Sequence, residues 1–245
     1  METKTTDYVY DNVIQIEDAE ASRKFIARVF AWMFVALGIS AACAYLFAAN
    51  PQLSSLLRDN ETGKSNMMGI IVMFLPLVFI FISGRVFSRG SYLALAVVFI
   101  GFSAAMGISL SYIFYLYPVN TIAGVFITTA VVFGAMAVGG YITHQDLTKF
   151  GGIMVMLLIG IIVASVLNLL ILHSSSFDLF ISYIGVAVFT GLTAYDVQKL
   201  KRIGASGEID GTVKSKVALM GALTLYLDFV NLFLMLLRIF GGNRR

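Results

Sequence analysis

The sequence predicts an all-α integral membrane protein, a bundle of seven transmembrane helices. Composition and spacing carry that prediction. Of the 245 residues, 59% are hydrophobic and 13% are charged, where soluble domains carry about 25% charged residues. The mean hydropathy is +0.88. A soluble fold of this length could not bury so much apolar surface. The apolar residues also fall into separate runs of roughly 20, the length that crosses a hydrocarbon core, with short polar connections between them. The organisation expected is a polar tail over 1–24, one membrane domain over 25–241 and a short C-terminal tail over 242–245.

The N-terminal segment is polar and mostly acidic, with Glu2, Asp7, Asp11, Glu17, Asp18 and Glu20. A signal peptide begins with basic residues and a short apolar core. The first apolar run, 25–49, is too long for such a core and is expected to remain as an anchor. It holds the lone cysteine, Cys43, so an internal disulfide is excluded. The second span is expected over 67–87, after a solvated connection holding Pro51, Arg58, Asp59, Glu61 and Lys64. A tight basic turn, Gly84 to Ser91, leads into the third span, 92–113. Pro118-Val119-Asn120 separates it from the fourth, 121–143, since proline marks a break. The fifth covers 151–172, and His173-Ser174-Ser175-Ser176 divides it from the sixth, 177–198. The seventh, 217–240, follows the longest internal polar stretch, Lys199 to Lys216, and carries Asp228 and Asn231 within it. Tyr112, Tyr115, Tyr117 and Tyr141 fall near span ends, as an interfacial aromatic belt would. Ser103 and Gly107, and the glycines at 134, 139 and 140, are expected to allow close helix packing.

Orientation is read from lysine and arginine, which favour the cytoplasmic side. With seven spans, the tail and the connections after the second, fourth and sixth share one face. These hold Lys4, Arg23, Lys24, Arg85, Arg89, Lys149, Lys199, Lys201, Arg202, Lys214 and Lys216, against Arg58, Lys64, Arg244 and Arg245 opposite. The N-terminus is therefore expected in the cytoplasm and the C-terminus on the far side; a six-span chain, with both ends in the cytoplasm, is compatible with the same split.

Charge inside a membrane is costly, about 2.5–3.5 kcal/mol for an aspartate near the bilayer centre, and usually serves function. Asp228 is the clearest case. Gly221, Thr224, Asp228 and Asn231 recur at helical spacing and form a polar stripe on an otherwise apolar helix. Asp196 ends the sixth span, where a headgroup-level acid paired with Lys199 or Lys201 is the plainer reading. Spacing alone does not decide whether the two aspartates meet. If they do, close carboxylates in a low dielectric share a proton. Without that proton, they offer a weak site for a hard cation such as Ca²⁺, which needs about six to eight oxygens. Arg85 and Arg89 read as positive-inside anchors or as a latch cation for that pair. Asp178 and Asn168 read as helix caps or interhelical glue. His144 and His173 lack metal-ligand spacing.

Two segments together carry a resemblance. One is Thr193-Ala-Tyr-Asp-Val-Gln-Lys-Leu-Lys201. The other is Leu225-Tyr-Leu-Asp-Phe-Val-Asn-Leu-Phe-Leu-Met-Leu-Leu-Arg-Ile-Phe-Gly241. Over roughly residues 20–243 the chain resembles the Bax inhibitor-1 family, also called transmembrane Bax inhibitor motif or Lifeguard proteins, and its prokaryotic members above all. The resemblance implies a seven-helix bundle with the last helix central and wrapped by the other six. It implies that Asp196 and Asp228 are the family's paired aspartates, acting as a pH sensor, and that either Arg85 or Arg89 takes the place of a latching arginine. It also implies a pH-dependent Ca²⁺ leak, roles in cell death and stress, and, from a bacterial relative, association with a membrane quality-control protease.

The leading expectation is therefore a passive, proton-gated Ca²⁺ pathway in a bacterial plasma (inner) membrane. Its partners would be lipid, Ca²⁺ and protons. No energy coupling is expected, since no P-loop or nucleotide fingerprint occurs, and no enzyme activity, cofactor or nucleic acid is expected either. A second reading is a regulator that contacts a membrane protease or another membrane protein through the acidic tail. A third is an intramembrane aspartyl protease, where two carboxylates also share a proton. Against it, Asp228 sits in Leu-Tyr-Leu-Asp, without the Gly-x-Gly-Asp setting or a following Pro-Ala-Leu.

Overall fold

A computed structural model describes residues 4–59, 64–206 and 211–242, with side chains from residue 19 onward. The extreme termini, including residues 243–245 of the expected C-terminal tail, lie outside the described residues, as do the side chains of the acidic residues before Ala19. The described chain is built from helices. α1 (Lys4–Ala49) takes the N-terminal segment and the first span in one piece. No proline interrupts it, and Pro51 follows directly, where proline disfavours helical geometry in the residue before it. A short α2 (Pro51–Ser55) is capped by the Asn50 side chain. Next come α3 (Met67–Arg89), α4 (Tyr92–Leu110), the single turn α5 (Ile113–Leu116) and α6 (Val119–Ile142). α7 (Thr148–Leu167) passes into a π-helical turn, Asn168–Leu172. α8 (Ser175–Ala205) and α9 (Gly211–Gly241) complete the bundle.

Seven of these, α4 counted together with α5 and α7 with its π turn, are long and apolar enough to cross a bilayer. The chain is an all-α seven-helix membrane protein. α8 and α9 have 31 residues each, or about 46 Å at helical rise. That exceeds a hydrocarbon core of about 30 Å, so their ends reach the polar layers. Both extend well beyond the spans expected from hydropathy, 177–198 and 217–240. The extra turns carry Lys199, Lys201, Arg202, Lys214 and Lys216. Such side chains lay their stems along apolar surface and place the charge in water, so a helix continues where a hydropathy reading stops.

α9 is the central helix. Two-thirds (67%) of its span is buried within the bundle, against 11% for α3 and for α7. It packs chiefly against α1, α4, α6 and α8. The enclosure is thus less complete than six surrounding helices would give: α3 rests on α4, and α7 rests on α8. Small residues permit the closest approaches. A Cβ on Gly107 would collide with the Ser40 backbone, and one on Gly140 with the Ala194 backbone, whereas Gly134 and Gly139 face open space. Of the glycines expected to bring helices together, Gly107 and Gly140 do so.

The polar residues read as caps take local roles. Asn168 accepts from the Ser174 N–H and donates to the Ser174 carbonyl, both at 3.1 Å. The turn closes at His173, whose φ of 48° is left-handed, a common way to end a helix. Asp178 sits in the first turn of α8, where the helix dipole favours an acid, and its carboxylate lies 3.8 Å from Arg238 of α9.

Candidate functional site

The site is made where α8 and α9 run antiparallel. Contacts on either side fix their register. Gly185 lies against Met235, and Gly221 lies against Leu200. Glycine at both points lets the helices approach, and between them Asp196 of α8 comes opposite Asp228 of α9. Their carboxyl groups are within hydrogen-bonding reach of each other. Asp196 lies about two and a half turns inside the end of α8. It is half-buried.

Asp228 is 6% exposed, and its Oδ2 atom is buried with no hydrogen-bond partner. A buried polar atom without a partner is uncommon and calls for a physical reason. An ionised carboxylate only accepts hydrogen bonds, so two facing carboxylates cannot bond to each other. A protonated one gains an O–H donor. One proton between them would therefore let the two carboxyl groups bond to each other. The Lys199 ammonium, one turn along α8, acts electrostatically on Asp196 and stands 6.0 Å from the centre of the Tyr195 ring.

The other candidate residues are placed differently. Arg85 and Arg89 are exposed on peripheral α3, and among the described residues no ion pair joins either to an aspartate. The link between α3 and the central helix is instead Lys216, which donates to the Phe87 carbonyl at 3.2 Å. Within the stripe Gly221, Thr224, Asp228 and Asn231, burial is uneven. Gly221 and Asp228 are buried, Asn231 is half-buried and Thr224 is exposed, its hydroxyl donating back to Met220. Among the described residues no group of three or more His, Cys, Asp or Glu could hold a metal. The pair alone leaves a Ca²⁺ shell far short of its usual oxygens.

Several residues around the pair escaped sequence reasoning. Gln198, buried about two turns before the end of α8, accepts from the Leu147 N–H at 2.8 Å and donates to the Gln145 carbonyl at 2.7 Å. This ties α8 to the α6–α7 connection. Arg202 reaches Asp146 in the same connection at 2.8 Å. The Thr148 hydroxyl and backbone N–H, and then Arg202, hold the Asp146 carboxyl down at about 2. Lys201 donates to the Tyr141 carbonyl at 2.8 Å, and its own carbonyl accepts from the Ser22 hydroxyl at 2.9 Å. On the far side of α9, Tyr226 shares a 2.7 Å hydrogen bond with Ser40, which donates to the Ser103 carbonyl. The one sequence signal for these was a polar residue inside an apolar run. It does not name a partner.

The family model described as inhibitor of apoptosis-promoting Bax1 matches residues 22–245. The chain belongs to the Bax inhibitor-1 family. Among this family member's relatives is the inner membrane protein YbhL of Escherichia coli K12, 42% identical over 221 residues, covering 90% of this chain and 92% of the relative. An uncharacterized protein of Borreliella burgdorferi is 41% identical, covering 90% of this chain and 93% of its own. An uncharacterized membrane protein of Streptococcus pyogenes serotype M1 is 34% identical over 235 residues, covering 95% and 99%.

Proposed function

We propose that this Bax inhibitor-1 family member is a passive Ca²⁺ leak of the inner membrane, gated by a proton shared between Asp196 and Asp228. The observation that carries the reading is the facing carboxyl pair inside the bundle with Asp228 Oδ2 unsatisfied. With the proton in place, the pair bridges α8 to α9. Without it, two negative charges face each other in a low dielectric. They repel strongly there, and a divalent cation is attracted to the same point. Kinship to an inner membrane protein supports the membrane assigned. The lysines and arginines on the face of the α6–α7 and α8–α9 connections support a cytoplasmic N-terminus. No chemical step and no cofactor enters this reading. A contact with a membrane protease, and a place in stress responses, are compatible with it.

The test is Ca²⁺ influx into liposomes loaded with a Ca²⁺ dye, from about pH 6 to about pH 8, with Asp196→Asn and Asp228→Asn in parallel. The expected result is influx that depends on pH in the wild type and loses that dependence in both variants. No influx above empty liposomes at any pH would overturn the leak and favour regulation by protein contact. Cleavage of a membrane peptide, lost in both variants, would favour the aspartyl-protease reading.

A further inference from the structure

We propose that the cavity enclosed by α3, α4, α5 and α9, at the end of the bundle away from Lys199, is a binding site for an anionic phospholipid. The cavity measures about 490 Å³, within the roughly 300–1,000 Å³ of small-molecule sites. Its chemistry is divided along its depth. The inner wall is apolar, formed by Val72, Ile108, Leu234 and Leu237. Three of the four lining serines add little polarity, because their hydroxyls are already used. Ser54 donates to the Pro51 carbonyl, Ser109 to that of Val72, and Ser111 to that of Ile108. The mouth carries two arginines, Arg58 and Arg238.

The arginines suit a phosphate. The central carbon of the Arg58 guanidinium lies over the Tyr115 ring, 3.8 Å from its centre, and such a contact helps hold a planar fork of donors in place. Arg238, in the last turn of α9, has its side chain 39% exposed and touches Asp178 at 3.8 Å. That separation is longer than a good charge-assisted hydrogen bond, so Arg238 keeps donors for a closer anion. Tyr112 and Tyr115 at the rim are exposed, as expected at headgroup depth. Val72 lies one to two turns inside the start of α3, and Leu234 two turns inside the end of α9. An acyl chain entering from the mouth would therefore run toward the bilayer centre. A soluble anion would leave the apolar wall unused. The inference stands without the cation pathway proposed for the aspartates.

The experiment is native mass spectrometry of the full chain, released from micelles containing equal amounts of phosphatidylglycerol and phosphatidylcholine. The wild type should retain phosphatidylglycerol preferentially. A charged hydrogen bond contributes about 1.5–3 kcal/mol, so Arg58→Gln with Arg238→Gln should reduce the preference at least roughly tenfold. Leu234→Trp keeps both arginines but fills the cavity, and should also lose the lipid. Equal retention of the two lipids, or unchanged preference in the arginine variant, would overturn the proposal. So would retention by a folded Leu234→Trp variant, since the lipid would then sit elsewhere on the surface. Displacement by millimolar inorganic phosphate would show a soluble-anion site instead. The two arginines are at the exposed mouth, so their variant remains informative even if Leu234→Trp fails to fold.

Discussion

The hydroxyl chain Tyr226–Ser40–Ser103 makes an asymmetric prediction. Ser40 has one hydrogen, and it goes to the Ser103 carbonyl at 2.7 Å. The 2.7 Å contact with Tyr226 must therefore run from the phenol to the serine oxygen. Tyr226→Phe removes the donor and leaves Ser40 with its own donation intact. The ring also keeps its edge-on contact with Phe102, at 5.4 Å between centres. The cost should be near that of an average interhelical hydrogen bond in a bilayer, about 0.6 kcal/mol. Ser40→Ala instead leaves the Tyr226 hydroxyl, fully buried, with no acceptor, which costs about 1–3 kcal/mol. The double variant removes both ends and should cost less than the two single changes together, as residues in contact are non-additive. Unfolding free energies of the four proteins in one micelle or bicelle would measure this. A larger loss for Tyr226→Phe than for Ser40→Ala, or simple additivity, would refute the reasoning. Tyr226 is two residues from Asp228, nearly the opposite side of the helix. Tyr226→Phe should therefore leave the pH dependence of Ca²⁺ influx unchanged.

Three further outcomes are expected. Gly140→Ala puts a methyl group against the Ala194 backbone and should cost about 1–3 kcal/mol by overpacking. Gly134→Ala, in open space, should be neutral or stabilising by up to about 1 kcal/mol; thermal unfolding of the pair checks both. Arg85→Gln and Arg89→Gln should not alter the pH dependence of influx, because neither arginine pairs with the aspartates; loss of that dependence would restore the latch. Asp146 is held at about 2 by Thr148 and Arg202, from an ordinary 3.8. Its lowered value means that its contribution to stability is present above the ordinary value and lost as pH falls through about 2. Asp146→Asn should remove that part of the acid dependence in a melting-temperature series, and an identical acid profile for both proteins would count against it.

Hydropathy located all seven spans, because a bilayer demands about 20 apolar residues regardless of what they pack against. The ends were less legible. α8 runs to Ala205 and α9 starts at Gly211, in stretches where lysines disguise helix as loop. Asp196 consequently sits within a continuous helix, with about two and a half turns beyond it, and not at a helix end. Asp228 was legible as the costly charge in an apolar helix. Its meeting with Asp196 was implied only by the family resemblance and not by spacing, since the α8–α9 register depends on Gly185 and Gly221 finding Met235 and Leu200. The roles of Gln198, Ser40 and Lys216 depend on partners 51 to 186 residues away in sequence, which no local pattern encodes.

The polar groups of the bundle also explain why the aspartate pair stands apart. Most buried hydroxyls here bond within their own helix. Ser83, Ser103, Thr129, Ser182 and Thr193 each donate to the carbonyl four residues earlier. Such back-bonding satisfies the side chain without joining helices, so these residues are not the interhelical glue their burial might imply. Ser22, Ser40 and Gln198 do cross between segments, and each reaches its partner. Asp228 is the exception: among the described residues it alone buries a side-chain atom that has no partner. A group kept only for adhesion would be expected to complete its bonds, as the others do. An acid with one bond missing, facing a second acid, changes its bonding with a single proton, and that change falls on the α8–α9 contact of the central helix.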